Sequence, residues 1–299
     1  MINIVFGIDS KYAKYCSVTI ASILSNHKLN SKEDTIKFYF LSPEDNSISE
    51  KDRKQILELK KIQNFDYEFI NIAMDEYKGL PYDRKITKAA YNRLLIPKIL
   101  NHNIEKVIYL DSDLIVIDDI LKLWNYDITN YLLAAVKDYE RTNSNISYFN
   151  SGVLILNLKE LRTFDFYCKW KNYIKDLSDI KSLKYFDQDI LNYITEGKVL
   201  LIPKEFNAMA VYAVNNPKVV IAHFTSFKPW DAFCIHPMQN LYWEYVKQTG
   251  YEIKKQTVFA YLISFLKKEP FFLFKKKYWE LTYNLLKDKL KIIFGKNKA

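Results

Sequence analysis

Glycine is scarce in this chain, with 6 residues in 299. There is no G-x-G-x-x-G after the first strand-like segment and no Walker A sequence. Dinucleotide-binding and P-loop assignments rest on those phosphate-cradling loops, and both are set aside. Cysteine is rarer still. Cys16, Cys168 and Cys234 are far apart, form no metal-binding cluster and cannot make a fully paired disulfide framework, so a reducing compartment is expected. No segment reaches the roughly 20 uninterrupted apolar residues of a membrane span. The strand-like Ile2-Asn3-Ile4-Val5-Phe6 follows the first residue directly, without the basic region and long apolar stretch of a secretory signal. With 8 Pro, few Gly and 49% hydrophobic residues, collagen-like repetition and wholesale disorder are also excluded.

What the chain does have is unevenly placed charge and many aromatic rings. Lys and Arg total 44 against 35 Asp and Glu. Residues 267–299 hold ten lysines and three acids, a net +7, which leaves only +2 for everything before them. Basicity belongs to a tail. The 19 Phe and 23 Tyr fill a core first and suit a sugar-facing cleft second. At 299 residues, one domain with an appendage and two domains are both admissible.

Hydrophobic patterning places strands at 3–7, 36–41, 67–72, 107–110, 132–136, 199–202 and 219–222. Helical patterns cover about 12–24, 49–63, 89–100, 160–175 and 187–193, the third expected to be interrupted near Pro97. Asn150-Ser151-Gly152 reads as a polar corner ahead of another strand-like run. The recurrent strand–helix order predicts a predominantly parallel α/β sheet, the first 120 or so residues resembling a nucleotide-binding half. No internal repeat and no Gly/Ser-rich linker is found.

The densest chemistry is Asp111-Ser112-Asp113, at the exit of Val107-Ile108-Tyr109-Leu110 and followed by Leu114-Ile115-Val116-Ile117. An apolar, β-branched run reads as a strand buried on both faces, and its carboxyl end is where open α/β sheets bind ligands. Carboxylates at i and i+2 converge on one hard cation if the chain turns there, and Mg²⁺ or Mn²⁺ favours such oxygen ligands. An Asx-turn with solvent-facing acids fits the pair equally well. His223, at the end of another strand candidate, reads by itself as a hydrogen-bonded structural histidine, and Lys228 as a solvated surface lysine.

Across 274–294, Lys277, Glu280, Asn284, Lys287, Asp288 and Lys291 share one polar arc, while Phe274, Trp279, Leu281, Leu285, Leu290 and Phe294 occupy much of the remainder. Such an amphipathic helix docks across the main domain or lies on an anionic membrane surface. It lacks arginine and any recognition motif, so no nucleic-acid partner is expected.

Taken together, the motifs resemble the family-8 retaining glycosyltransferases, especially bacterial lipopolysaccharide or lipooligosaccharide galactosyl- and glucosyltransferases. The resemblance rests on an ordered series over roughly residues 1–235: Ile4-Val5-Phe6-Gly7-Ile8-Asp9, Tyr91-Asn92-Arg93-Leu94, Tyr109-Leu110-Asp111-Ser112-Asp113, Phe149-Asn150-Ser151-Gly152-Val153-Leu154, Phe186-Asp187-Gln188-Asp189-Ile190-Leu191-Asn192, and His223-Phe224-Thr225-Ser226-Phe227-Lys228-Pro229-Trp230. Asp-x-Asp alone is common among nucleotide-sugar enzymes; the ordered series is specific.

The resemblance implies a GT-A nucleotide-diphospho-sugar transferase fold, α/β with a mixed, mainly parallel central sheet. It implies a transferase domain over 1–245 and a helical, basic-aromatic segment over 246–299. Asp111, Asp113 and His223 would hold Mn²⁺ (or Mg²⁺), and Ser112 would lie with them at the UDP-hexose donor. Lys228 would stabilise departing UDP, while Asp9 and Tyr12 would take the uridine; Lys11 stands where the best-known galactosyltransferases of the group carry Asn. Arg93 would approach donor phosphate and sugar. Asn150 and Asp187 would bind sugar hydroxyls, with Gln188 near the anomeric carbon.

The reaction implied is transfer of galactose or glucose from its UDP conjugate to an oligosaccharide or glycolipid hydroxyl, with retention by same-face attack. Gln188, Asp187 and Lys228 are the catalytic candidates. The location implied is cytoplasmic, peripheral at the inner membrane. A metal-dependent UDP-sugar hydrolase could use the same acids and lysine, and a non-enzymatic carbohydrate- or lipid-binding protein is the alternative of a different class.

Overall fold

The computed structural model describes residues 1–29, 34–82, 87–139, 147–213, 218–225 and 227–261. Nine strands are present among them: β1 (Ile2–Gly7), β2 (Ile36–Pro43), β3 (Asp66–Ile72), β4 (Lys106–Leu110), β5 (Leu114–Val116), β6 (Leu133–Lys137), β7 (Phe149–Asn157), β8 (Val199–Ile202) and β9 (Ile221–His223). Helices are α1 (Ala13–Asn26), α2 (Glu50–Leu57), α3 (Asn92–Ile99), α4 (Leu121–Trp124), α5 (Leu158–Thr163), α6 (Phe166–Asp176), α7 (Asp187–Ile194), α8 (Ala210–Ala213) and α9 (Gln239–Thr249).

Seven strands form one sheet in the order β3-β2-β1-β4-β7-β6-β8. β3, β2, β1 and β4 run parallel, β7 is antiparallel to both its neighbours, and β8 pairs parallel with β6. β5 and β9 form a separate antiparallel pair that sets Leu114 opposite His223.

Alternation along the strands explains the layering. Ile4, Phe6, Ile108 and Leu110 face one core, which α1 and α2 cover; Val5, Val107 and Tyr109 face the other, under α3, α5, α6 and α7. Full burial of each such side chain stabilises the fold by about 1.5–3 kcal/mol. Both faces of β4 are therefore apolar, and its first exit into a polar environment is Asp111.

Several elements differ from their sequence expectations. The single helix over 160–175 is two, α5 and α6, broken where Asp165 takes φ 54°. The helix over 89–100 is a 3₁₀ turn, Lys88–Tyr91, followed by α3, which contains Pro97 rather than breaking at it. The helix over 49–63 becomes α2 and a 3₁₀ turn, Glu58–Lys61. β9 begins at Ile221, so His223 is its last residue. The polar corner at Asn150-Ser151-Gly152 is part of β7. Register with β6 jumps from Ala135–Leu154 to Val136–Asn150, so Ser151, Gly152 and Val153 bow out of that ladder, an irregularity of the kind that re-aims side chains beside active sites. α9 had no counterpart in the sequence reading; it packs on α1 through Tyr242, Tyr245 and Val246. The amphipathic segment over 274–294 lies outside the described residues, among which no helix is long and apolar enough to cross a membrane.

Candidate active site

The carboxyl ends of β1 and β4 and the start of β7 meet at one edge of the sheet, around a cavity of about 320 Å³. All eleven residues expected at the site line it: Asp9, Tyr12, Arg93, Asp111, Ser112, Asp113, Asn150, Asp187, Gln188, His223 and Lys228. The β5–β9 pair explains how His223 arrives from more than a hundred residues away. Pairing Leu114 with His223 puts the imidazole beside the acids that immediately precede β5.

His223 Nε2 lies 3.3 Å from Asp113 Oδ1 and 3.8 Å from Asp111 Oδ2. These three side chains offer ligand atoms within 4.8 Å of one another. The opposite imidazole nitrogen, Nδ1, lies 2.8 Å from Asn207 Oδ1, and Asn207 Nδ2 donates to Asn150 Oδ1 at 2.9 Å. With its amide nitrogen committed to Asn150, Asn207 presents an acceptor to the imidazole. With a metal on Nε2, the proton would sit on Nδ1, and the Nε2 lone pair would face the ion held between the carboxylates. Two carboxylate oxygens and one such nitrogen suit Mn²⁺ or Mg²⁺, the former better because it accepts imidazole readily. The space is kept open by Gly152. A Cβ there would stand 2.2 Å from His223 Cε1 and 2.7 Å from Asp111 Oδ2.

Two cations flank the acids. Lys228 Nζ donates to Asp113 Oδ2 and to the Phe224 carbonyl at 2.7 Å. Burial alone would raise the Asp113 carboxyl, yet Lys228 and His223 beside it hold it well below the usual range. Arg93 Nη2 bonds Asp111 Oδ1 at 2.8 Å, Nη1 bonds the Ser151 hydroxyl at 2.7 Å, and Nε lies 3.1 Å from Asp187 Oδ2. Its guanidinium stacks 4.5 Å over the Tyr109 ring. Burial works against this charge, and Asp111 with Asp187 more than restores it.

Asp187 and Gln188 open α7 after Phe186, whose φ of 51° and ψ of −114° are unusual for a residue with a side chain. Strain of this kind costs about 1–3 kcal/mol and clusters at functional sites. Burial pushes the Asp187 carboxyl up to about 6, against the pull of Arg93. Gln188 is held at both ends of its amide: Oε1 accepts the Ser151 N–H at 3.0 Å, and Nε2 donates to Asp138 Oδ2 at 3.1 Å.

At the far end of the cavity Asp9 is 1% exposed. Its Oδ1 accepts the Tyr12 N–H at 3.1 Å, while its Oδ2 is buried without a partner. Tyr12 lines the same end, its phenol kept protonated by burial and by the acids Asp113 and Asp9.

Sequence reasoning missed Tyr109, whose hydroxyl donates to Asp111 Oδ1 at 2.9 Å, and also Asn207 and Asp138. Tyr109 stood in plain view inside the Tyr-Leu-Asp-Ser-Asp run. Neither Asn207 nor Asp138 lies in a motif, and no local signal marks them.

A family model described as glycosyl transferase family 8 matches residues 3–234. The chain belongs to glycosyltransferase family 8. It is 33% identical to a Haemophilus influenzae protein named for glycosyl transfer, over 78% of this chain and 74% of that one. It is 27% identical to the lipopolysaccharide 1,2-glucosyltransferase of Escherichia coli, over 81% of this chain and 76% of the other. Among solved structures, the galactosyltransferase LgtC in complex with donor and acceptor sugar analogues superimposes with a TM-score of 0.72 at 26% identity, covering 84% of this chain and 97% of LgtC. The fold is accordingly GT-A-like, and the family-8 chain is a retaining-type hexosyltransferase with a candidate metal-binding triad.

Proposed function

We propose that this family-8 chain transfers galactose or glucose from its UDP conjugate to a hydroxyl of a bacterial surface-glycan acceptor, keeping the anomeric configuration. One observation carries the reading. A triad of two carboxylates and an imidazole, with Lys228 and Arg93 beside it, shares a cavity with an unpartnered carboxylate oxygen on Asp9. A nucleoside diphosphate matches that layout: the base offers an N–H to Asp9 and a ring face to Tyr12, and the diphosphate meets the cationic end.

Asp111, Asp113 and His223 would hold a divalent cation, Mn²⁺ or Mg²⁺, which supplies positive charge to a departing diphosphate. Lys228 adds charge at the same place, held there by Asp113 and the Phe224 carbonyl. Preorganised cations stabilise developing negative charge without reorganisation cost. In the reaction, the bond from the anomeric carbon to the UDP oxygen breaks while the acceptor oxygen bonds to the same face, and the acceptor proton passes to the leaving phosphate oxygen. Gln188 suits a positioning and electrostatic role better than a nucleophilic one. Its amide oxygen is a weak nucleophile and already accepts the Ser151 N–H. Asp187, Arg93 and Asn150 then frame the hexose.

A cytoplasmic site at the membrane surface completes the proposal, with the basic segment beyond α9 as the contact. Deleting 271–299 should weaken flotation with anionic liposomes and leave transfer to a small acceptor measurable. The central experiment incubates the full chain and Mn²⁺ with UDP-hexoses and truncated glycolipid acceptors, followed by mass and linkage analysis. UDP release that depends on acceptor, with a hexose added in α linkage, is expected. Equal UDP release with and without acceptor would replace transfer by hydrolysis.

A further inference from the structure

A second groove, of about 590 Å³, runs along the outer side of α7 next to β8, and Tyr185 lines both it and the donor cavity. Its walls are unusual for a surface depression. Tyr173 and Tyr193 stack with ring centroids 4.3 Å apart, and Tyr148 and Tyr185 form a tilted pair at 6.3 Å. Tyr193 is 60% exposed, so one of its ring faces is available along the groove. The opening is also rigidly built. Asp189 accepts the Tyr148 hydroxyl at 2.5 Å and the Tyr185 N–H at 2.7 Å, locking the end nearest the donor cavity.

We propose that this groove binds the acceptor glycan, holding the sugars that precede the residue receiving the hexose. The inference rests on the transferase reading above and extends it to the acceptor. Three features favour a carbohydrate over other occupants. Aromatic faces pack on the apolar C–H faces of pyranose rings, and tyrosine offers that face with a hydroxyl at its tip. Tyr185 lines both the groove and the donor cavity, so an acceptor lying in the groove and passing Tyr185 would bring its terminal hydroxyl toward the hexose. Its polar lining sets Ser147, Ser182, Lys184, Asp189, Asn192 and Glu196 among the phenols, a mix of donors and acceptors of both charges that suits a hydroxyl-rich ligand. Asp189 and Gln188, neighbours at the start of α7, then face the two cavities in turn: Asp189 orders the glycan groove and Gln188 the donor site.

The test uses Tyr193→Ala and Tyr193→Phe in the full chain with Mn²⁺ and UDP-hexose. Two acceptors serve as probes: a truncated lipooligosaccharide core, and the octyl glycoside of its terminal sugar alone. For Tyr193→Ala the KM for the core should rise about tenfold, the size of one lost aromatic contact of roughly 1.4 kcal/mol. The KM for the octyl glycoside, the donor KM and kcat at saturation should stay unchanged. Tyr193→Phe should restore the KM for the core, because the ring face is what packs. Saturation-transfer NMR should show core sugars other than the terminal one in contact with wild-type protein and lost with Tyr193→Ala. Wild-type transfer with the same KM for the core in Tyr193→Ala would overturn the groove alone. No acceptor-dependent UDP release from the wild type would overturn the transferase reading, and the groove with it.

Discussion

The two ends of the active-site cavity are built to different degrees of completion. At the end around Asp111, Arg93 ties Asp111, Ser151 and Asp187 together, Lys228 holds Asp113, and both halves of the Gln188 amide are occupied. At the end around Asp9, a carboxylate oxygen is buried with no partner. Of the three such orphaned atoms among the described residues, only this one belongs to a residue lining the cavity. The contrast follows from what each end must do. Where charge develops during reaction, a fixed array of cations and dipoles is worth most when it needs no rearrangement. Where a ligand brings its own donor, an open acceptor costs about 1–3 kcal/mol in the empty protein and recovers it on binding.

The strongest way to break this comparison is at the saturated end. Asp113→Asn removes a proposed metal-ligand oxygen and the charged partner of Lys228 together. Turnover supported by Mn²⁺ should fall by more than about 100-fold, beyond the 10–100-fold typical of losing an outer partner of a ligand. Asp111→Asn should behave alike. Steady-state rates across a Mn²⁺ titration measure it, and wild-type rates with wild-type metal dependence in both variants would remove the acids from the metal site.

The same end makes a pH prediction. Asp187 sits at about 6 in the folded chain against an ordinary 3.8. A carboxyl raised on folding keeps its proton longer in the folded state. Its favourable contribution is present below pH 3.8 and is lost as pH rises to about 6, an effect of up to about 3 kcal/mol. Asp113, shifted the opposite way, contributes only to loss at lower pH. Urea unfolding of metal-free protein at pH 4 and pH 6 should therefore show Asp187→Asn gaining on the wild type as pH rises. Parallel pH profiles for the two proteins would mean that Asp187 titrates normally.

These residues were legible in the sequence to different extents, for a physical reason. Asp111 and Asp113 announce themselves because two acids terminate a strand buried on both faces. His223 gained meaning only from its place in an ordered series, since the β5–β9 pairing that brings it home is a tertiary fact. The parallel half of the sheet and its helices followed from periodicity. The break at Asp165 did not, because the left-handed residue there is not a glycine. Nor did the course of β7: three polar or small residues read as a corner, but they are buried parts of a strand whose ladder bows beside the site. Asn207 and Asp138 stayed invisible because they act through another side chain, and outer partners have no pattern of their own.

Asn207 sharpens the comparison at intermediate size. If its amide sets the His223 tautomer, Asn207→Ala should weaken Mn²⁺ binding by about 10–100-fold while Asp111 and Asp113 are untouched. Electron paramagnetic resonance titration of Mn²⁺ reads affinity, and ¹⁵N shifts of the His223 ring in protein loaded with diamagnetic Mg²⁺ read the tautomer. Unchanged affinity with the proton still on Nδ1 would show that the imidazole needs no such orientation.

The smallest effect is expected at the open end. Asp9 uses its two oxygens differently: Oδ1 accepts the Tyr12 N–H, and Oδ2 is buried without a partner in a residue that lines the cavity. Asp9→Asn can keep the Tyr12 contact through its amide oxygen but turns the unpartnered acceptor into a donor, opposite to what a uracil N–H requires. UDP affinity should fall by about tenfold, the loss of roughly one charge-assisted hydrogen bond near the lower end of its range. Turnover at saturating donor should change little, because the base lies far from the bond that breaks, so the defect appears in the donor KM. Calorimetry with UDP and with cytidine diphosphate separates the accounts. Cytosine offers an acceptor where uracil offers an N–H, so the variant should lose preference for UDP over the cytidine nucleotide. A variant that keeps that preference would place base recognition on backbone groups around Tyr12 and leave the orphaned oxygen without a ligand.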